Sequence, residues 1–386
     1  MQSPLFGRRI HIAGSVGDDL TIAPTGELQR AREFIQLLVR ELLRRGATFV
    51  LPVDAEKRRT ADGLPICFDW LIWQTLQANL LHRPANATNP LAIAVLHHKN
   101  EEQIPTEFEQ LWRDLRNSSL VQIESAAHWN MASKRMETQA RSGDILLALG
   151  GSEGVLFLAN LYHDAGKPVV PLNFSLCSSD SGARRLFNFG LASTNSPRLF
   201  RASGVGPHGW LNRINFPSNT TVAERVASVV DLLEALEPPK AFVVRLLNPD
   251  QPDYADVQTY FDTVVQPVIE GELGYKLTVV DGRQQYEYPR IDQEIFSKLH
   301  RSRVVIADIT GLRPNCFLEL GYALGRGLPT LLMAKAGTNH PFDIHTLSGL
   351  HWSLTGTVDD RKRLFREHWN AVRNRPALVP TDPLIP

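Results

Sequence analysis

The sequence predicts an α/β fold made of two Rossmann-like (flavodoxin-like) domains, each a doubly wound parallel sheet. Three observations carry that prediction. Short apolar runs alternate with amphipathic helical stretches, and the runs are apolar at nearly every position, as strands covered on both faces must be. A phrase reading strand, Gly-containing loop, helix, Gly-x-Pro, strand also occurs twice, at 142–172 and 302–332.

In chain order, 8–14 reads as a strand ending in a Gly-Ser-Val-Gly turn. Ala31, Phe34, Ile35, Leu38, Leu42 and Leu43 then repeat at helical spacing up to Gly46, a helix stop, and 49–53 is the next strand. Further strands are expected at 91–96, 145–149 and 169–172. From 175 to 218 the periodicity fades, so this stretch reads as a connector. Thr221 and Glu224 then form a capping-box pattern that opens a helix over 222–236. Pro238-Pro239 cannot continue that helix and mark a boundary near 238. Beyond it come strands at 242–246, 277–280, 304–307 and 330–333, alternating with helices near 257–270, 291–299 and 316–326. The expected organisation is a domain at 1–205, a connector helix with its Pro-Pro linker at 206–239, and a second domain at 240–386.

The 386 residues suit about two or three domains, and 43% apolar content allows full cores. Lys+Arg and Asp+Glu are each 41, so the electrostatic footprint of nucleic-acid binding is missing, although Lys57-Arg58-Arg59 is a local basic cluster. A small-molecule ligand is expected instead. Cys67, Cys177 and Cys316 form no CxxC pair, which points to a reducing cytoplasm, and no apolar run approaches the ~18 residues of a membrane span. His97-His98, His340, His345 and His351 fall into no metal-ligand motif, so no metal or other cofactor is expected. Trp70 and Trp73 read as core residues, whereas Trp129 could cover a base.

Leu149-Gly150-Gly151-Ser152-Glu153-Gly154 lies between an expected strand and helix, where backbone N–H groups can face a phosphate. A tight strand–helix turn is the alternative. With Met131-Ala132-Ser133-Lys134-Arg135 upstream and Gly166-Lys167-Pro168 after the helix, 8–175 resembles the LOG-like and DprA-like (SLOG) superfamily. The resemblance implies nucleotide binding by Gly14, Ser15, Lys134, Arg135, Gly150, Gly151, Ser152, Glu153 and Gly154. The loop departs from the family's PGGxGTxxE: Leu149 replaces Pro, one residue is added, Val155 stands for Thr, and the Glu beyond is missing. With that carboxylate unplaced, the expectation is a sensor of a cyclic nucleotide or ADP-ribose-type small molecule rather than a phosphoribohydrolase.

The run Val304–Ala307 ends in Asp308, and Asn315, a good N-cap, opens a helix carrying Glu319 in an early turn. Asp308 and Glu319 are expected to share one pocket at the carboxyl edge of the sheet. Tyr322 and Arg326 fall on the helical stripe of Glu319, with Leu320 and Leu324 turned elsewhere. Asn315 to Ala323 resembles the FELGYA-type segment of nucleoside 2-deoxyribosyltransferases, over about 241–352, and its Cys-x-x-Glu-Leu phrase also resembles TIR domains. Both resemblances imply cleavage of an N-glycosidic bond by Glu319, and the deoxyribosyltransferase resemblance places Asp292 where that family has a recognition or protonation Asp. By position, Asp292 or Asp308 is expected as second acid and Asn315, Tyr322, Arg245 and Asn248 around the substrate, although the strand end Val243 to Asn248 departs from the family's Tyr or Pro-Phe phrase. A carboxylate at the anomeric carbon stabilises an oxocarbenium-like state or traps it covalently, and closely spaced acids divide the work. In an early helix turn, Glu319 and Asp292 could instead serve the helix dipole.

The expected molecule is therefore a signal-activated N-glycosidase acting on NAD, the leading candidate, or a related nucleotide. It resembles prokaryotic antiviral effectors and is expected to homo-oligomerise without membrane or nucleic-acid contacts. A non-catalytic nucleotide-binding regulator and a LOG-like phosphoribohydrolase using Glu153 are the alternatives.

Overall fold

The apolar runs of the first half become strands of one sheet because each is buried along its whole length, and those of the second half build another. The computed structural model describes residues 3–17, 25–55, 58–87, 89–126, 131–192, 194–217, 219–281, 290–339, 344 and 347–372. Lys57, Trp129, Pro289, His340 and His345 lie outside the described residues. The chain divides into two compact units, one running to Glu237 and the other starting at Pro238.

In the first unit β1 (Arg9–Ser15), β2 (Thr48–Pro52), β3 (Ala92–Leu96), β4 (Val121–Ser125), β5 (Ile145–Gly150) and β6 (Val169–Leu172) form a parallel sheet of order β4-β3-β2-β1-β5-β6. β2, β3, β5 and β6 are buried at every position, whereas β4 alternates between exposed and half-buried. That difference explains why β4, reading Val-Gln-Ile-Glu-Ser, escapes an apolar-run search: it is an edge strand. The helix Thr25–Arg44 buries Phe34, Ile35, Leu38, Val39, Leu42 and Leu43 against the sheet.

The stretch expected as a featureless connector is partly helical, at Gly182–Leu191, Ser196–Leu199 and Pro207–Arg213. Phe187, Leu199, Phe200, Trp210, Leu211, Ile214 and Phe216 join the first unit's core. Short helices bury single anchors rather than a periodic stripe, so hydrophobic spacing does not reveal them. The next helix, Val222–Ala235, starts with the expected reciprocal cap: Thr221 Oγ1 accepts from Glu224 N, and Glu224 accepts from Thr221 N.

In the second unit β7 (Lys240–Val244), β8 (Lys276–Thr278), β9 (Val304–Asp308), β10 (Thr330–Lys335) and β11 (Gly349–Trp352) are also all parallel, in the order β11-β10-β9-β7-β8. This is the doubly wound order in which the chain leaves its first strand one way and then crosses to the other side. β11 was not expected, because four half-polar residues at an edge carry no run signal. Helix Tyr254–Tyr260 continues in π-helical turns, Phe261–Val265 and Pro267–Glu272, the wider winding tolerating Pro267 mid-helix.

Candidate functional site

Each sheet has a topological switch point where neighbouring strands send the chain to opposite sides, the place where open α/β sheets generally bind ligands. In the first unit the switch lies between β1 and β5. Ser15 pairs with Gly150, and Gly151 N donates to Ser15 O at 2.7 Å. A Cβ on Gly14 would overlap the Leu149 carbonyl, so only glycine lets β1 and β5 approach here. Gly151 has φ +74°, a left-handed conformation that turns the strand into helix Glu153–Asp164 within two residues. Ser152 is the N-cap but its side chain makes no capping bond, and Glu153 is exposed in the first turn.

The positive pair expected at this loop sits on helix Met131–Ser142. Met136 Cε lies 3.5 Å from the position a Gly154 Cβ would take, so this helix runs beside the glycine loop. Arg135 is engaged by Asp54, with Nη1 at 2.6 Å from Oδ2, and Lys134 lies 3.5 Å from Glu137. Asp54 was not anticipated; its only signal is its place just past the end of β2. The structure thus gathers Gly14, Ser15, Gly150, Gly151, Ser152, Glu153, Gly154, Lys134 and Arg135 at one edge, with Arg135 already paired. Trp70 and Trp73 are core residues, Trp70 stacked on Phe108 at 4.7 Å.

In the second unit the switch lies between β7 and β9. Val244 pairs with Ala307, so the next residues, Arg245 and Asp308, stand at the crevice. Asp308 shares its strand face with Val304 and Ile306, which pack with Tyr260 and Trp352. The helix Pro314–Gly325 packs on the other face, where Cys316, Leu320 and Ala323 meet Val305 and Ala307. Asp308 and Glu319 therefore do not share one pocket as expected, because the pleat sends Asp308 to the face opposite the helix of Glu319.

Asp308 is fully buried, and both its oxygens are taken: Thr310 N donates to Oδ1 at 2.9 Å and Trp352 Nε1 to Oδ2 at 2.6 Å. Burial pushes its carboxyl up to about 6 despite those bonds. Tyr260 stacks on Trp352 at 4.4 Å on this side. Asp308 is thus a supporting group that orders Trp352 and the loop after β9.

Glu319 is half-buried, and among the described residues it has neither hydrogen bond nor ion pair. Burial alone pushes its carboxyl up to about 7. One turn before it, Cys316 is pushed up to about 11, first by burial and then by the charge of Glu319.

Other expected partners lie elsewhere. Asp292 is exposed and chelated by Arg290, whose guanidinium holds it below the usual carboxylate range. The acid drawn inward on the same helix is Glu294, fully buried and 2.7 Å from Lys298, and its helical spacing was the only available clue. The Tyr322 hydroxyl lies 2.9 Å from His300 Nδ1, and Arg326 Nη2 lies 3.2 Å from His300 Nε2. Both thus engage helix Ile291–His300 rather than the Glu319 carboxylate. Asn315 is exposed and is not the cap, since Arg313 takes the extended N-cap position demanded by Pro314. Asn248 Oδ1 accepts from Asp250 N at 3.0 Å and organises the loop after β7. Among the described residues no group of three or more His, Cys, Asp or Glu could hold a metal ion, and no helix is long and apolar enough to cross a membrane.

A family model described as "ATP nucleosidase Cap17-like, N-terminal" matches residues 5–233, more than half of the chain. The chain belongs to this Cap17-like family. The matched stretch covers the first unit's sheet and glycine loop, and the second unit lies beyond it. No curated protein matches. Solved structures similar to the chain include proximal thread matrix protein 1 from the mussel byssus, at 11% identity over 97% of this chain and 99% of that one. Its TM-score of 0.19 carries no argument about fold or function.

Proposed function

We propose that the protein is a nucleotide N-glycosidase, an antiviral effector that removes the base from a purine nucleotide, with Glu319 as the acting carboxylate. The observation that carries this reading is the state of Glu319: without a hydrogen bond or ion pair among the described residues, half-buried, raised to about 7, and one turn and a half into the helix that follows the switch-point strand. A carboxylate held back from water for no structural partner is suited to meet the positive charge that develops at an anomeric carbon. Membership in a family named for ATP nucleosidase activity supports ATP as the substrate class, ahead of the NAD that the TIR-like phrase suggests.

In this reading the first unit is a SLOG-like sensor whose glycine loop and uncapped helix end bind a nucleotide signal. An unregulated nucleotide hydrolase would harm its host, so the protein has low basal activity and assembles into homo-oligomers when the signal binds. Light scattering should show a rise in mass on adding the activating ligand, and an unchanged mass with every ligand tried would remove assembly from the scheme.

A second reading is favoured by the family match, which falls entirely on the first unit. There the glycine loop would hold the substrate and Glu153, exposed beside it, would act. One experiment separates the two. Purified protein is incubated with ATP, NAD, nucleoside monophosphates and deoxynucleosides, with and without cyclic nucleotides, and free base is measured by chromatography. Loss of base release in Glu319→Ala with retention in Glu153→Ala supports the first reading, and the reverse pattern establishes the second.

A further inference from the structure

Two donors of the Arg245 guanidinium are unsatisfied among the described residues at the carboxyl end of β7. Arg245 directly follows β7 and, by strand alternation from Ala241 and Val243, points to the Tyr260 and Trp352 face. It lies over the Phe261 ring at 4.9 Å, which fixes its plane. Nε and Nη1 are both buried, and neither has a hydrogen-bond partner among the described residues. A desolvated guanidinium with two idle donors costs free energy that a protein normally recovers with a carboxylate or carbonyl.

Acids are near enough to do so. Burial works against the charged form of Arg245, and the carboxylates Asp262, Asp308 and Asp281 favour it. Yet none makes an ion pair with it among the described residues. Asp262 accepts from Gln258 Nε2 at 2.8 and 2.9 Å, and Asp308 is held by Thr310 and Trp352. Asp262 and Asp308 thus spend their oxygens elsewhere, and Nε and Nη1 of Arg245 find no acceptor among the described residues.

We propose that Arg245 is the specificity-determining residue that binds a phosphate group of the substrate, so that the second crevice selects nucleotides over nucleosides. This rests on the N-glycosidase reading for the identity of the substrate, but not for the binding itself. A nucleotide would straddle the edge of the sheet, with its phosphate on the Arg245 face and its sugar toward Glu319 on the other. A charged hydrogen-bond donor of this kind discriminates strongly, because a nucleoside would leave the buried cation unpaired.

The test is calorimetric binding to the full chain, using Glu319→Gln so that no turnover intervenes, and comparing ATP, adenosine and inorganic tripolyphosphate. Adding Arg245→Ala should weaken ATP and tripolyphosphate at one site by roughly 10- to 100-fold and leave adenosine unchanged. The glycine-loop site is common to both proteins, so the difference isolates Arg245. Arg245→Lys, which keeps the charge, should retain most of the ATP affinity and guards against a folding defect in the alanine variant. Equal weakening of ATP and adenosine would assign Arg245 to the sugar, the base or the fold, and overturn the proposal, as would no change for either. Failure of base release in the wild type would sink the glycosidase reading while leaving this binding result standing.

Discussion

Glu319 and Asp308 are both acids raised by burial, yet they differ in what surrounds them. Glu319 has no hydrogen bond or ion pair among the described residues, so its substitution should strike activity rather than stability. Glu319→Ala is expected to cut base release by on the order of 10²–10⁴-fold, with the thermal midpoint nearly unchanged, as measured by chromatography and by melting. If Glu319 acts as the ionised carboxylate, kcat/KM should rise as pH climbs through about 7 and flatten above it. Asp308 is the opposite case: removing it strands Trp352 Nε1–H and Thr310 N–H, so Asp308→Ala should cost about 1–3 kcal/mol in urea unfolding. Its folded pKa, about 6, lies above the usual carboxylate value near ~4. The neutral acid is therefore the form the fold favours. Its contribution is complete below pH ~4 and is lost as pH rises through about 6, so the urea midpoint should decline across that window.

The glycine loop and the caps decide stability at the level of elements. Gly14 lets β1 close on β5, and an alanine methyl there would press on the Leu149 carbonyl with no flexible atom to yield. Gly14→Ala should destabilise the protein by about 1–3 kcal/mol, read as a lower urea midpoint. Thr221→Ala removes half of the reciprocal cap on helix Val222–Ala235 and should cost about 1 kcal/mol. The same elements explain what the sequence made legible. β2, β3, β5, β6 and β9 are buried on both faces and read directly as apolar runs. The edge strands β4 and β11 carry polar residues because one side meets water, and nothing in their spacing separates them from loops. The Asn315 cap failed for a local reason: Pro314 claims the first helical position and moves the cap back to Arg313.

Over the whole molecule, two switch points present two crevices of different character, one built from backbone and the other from side chains. Ser152→Asp should put a carboxylate against the uncapped first turn of helix Glu153–Asp164 and repel a phosphate. Base release should then lose its response to the nucleotide signal and keep its basal rate, and a response that survives would remove the first unit from sensing. The sequence by itself determined the two parallel α/β units, the glycine turn and Glu319 in its helix, because burial patterns, φ-restricted glycines and helical spacing are local properties written in consecutive residues. Only the tertiary structure decided that Asp308 faces away from Glu319, that Tyr322 answers to His300, that Arg135 is held by Asp54 and that two donors of Arg245 find no partner among the described residues. Those outcomes depend on which strand lies beside which and on which groups burial deprives of water, and neither is encoded in the spacing of any one segment.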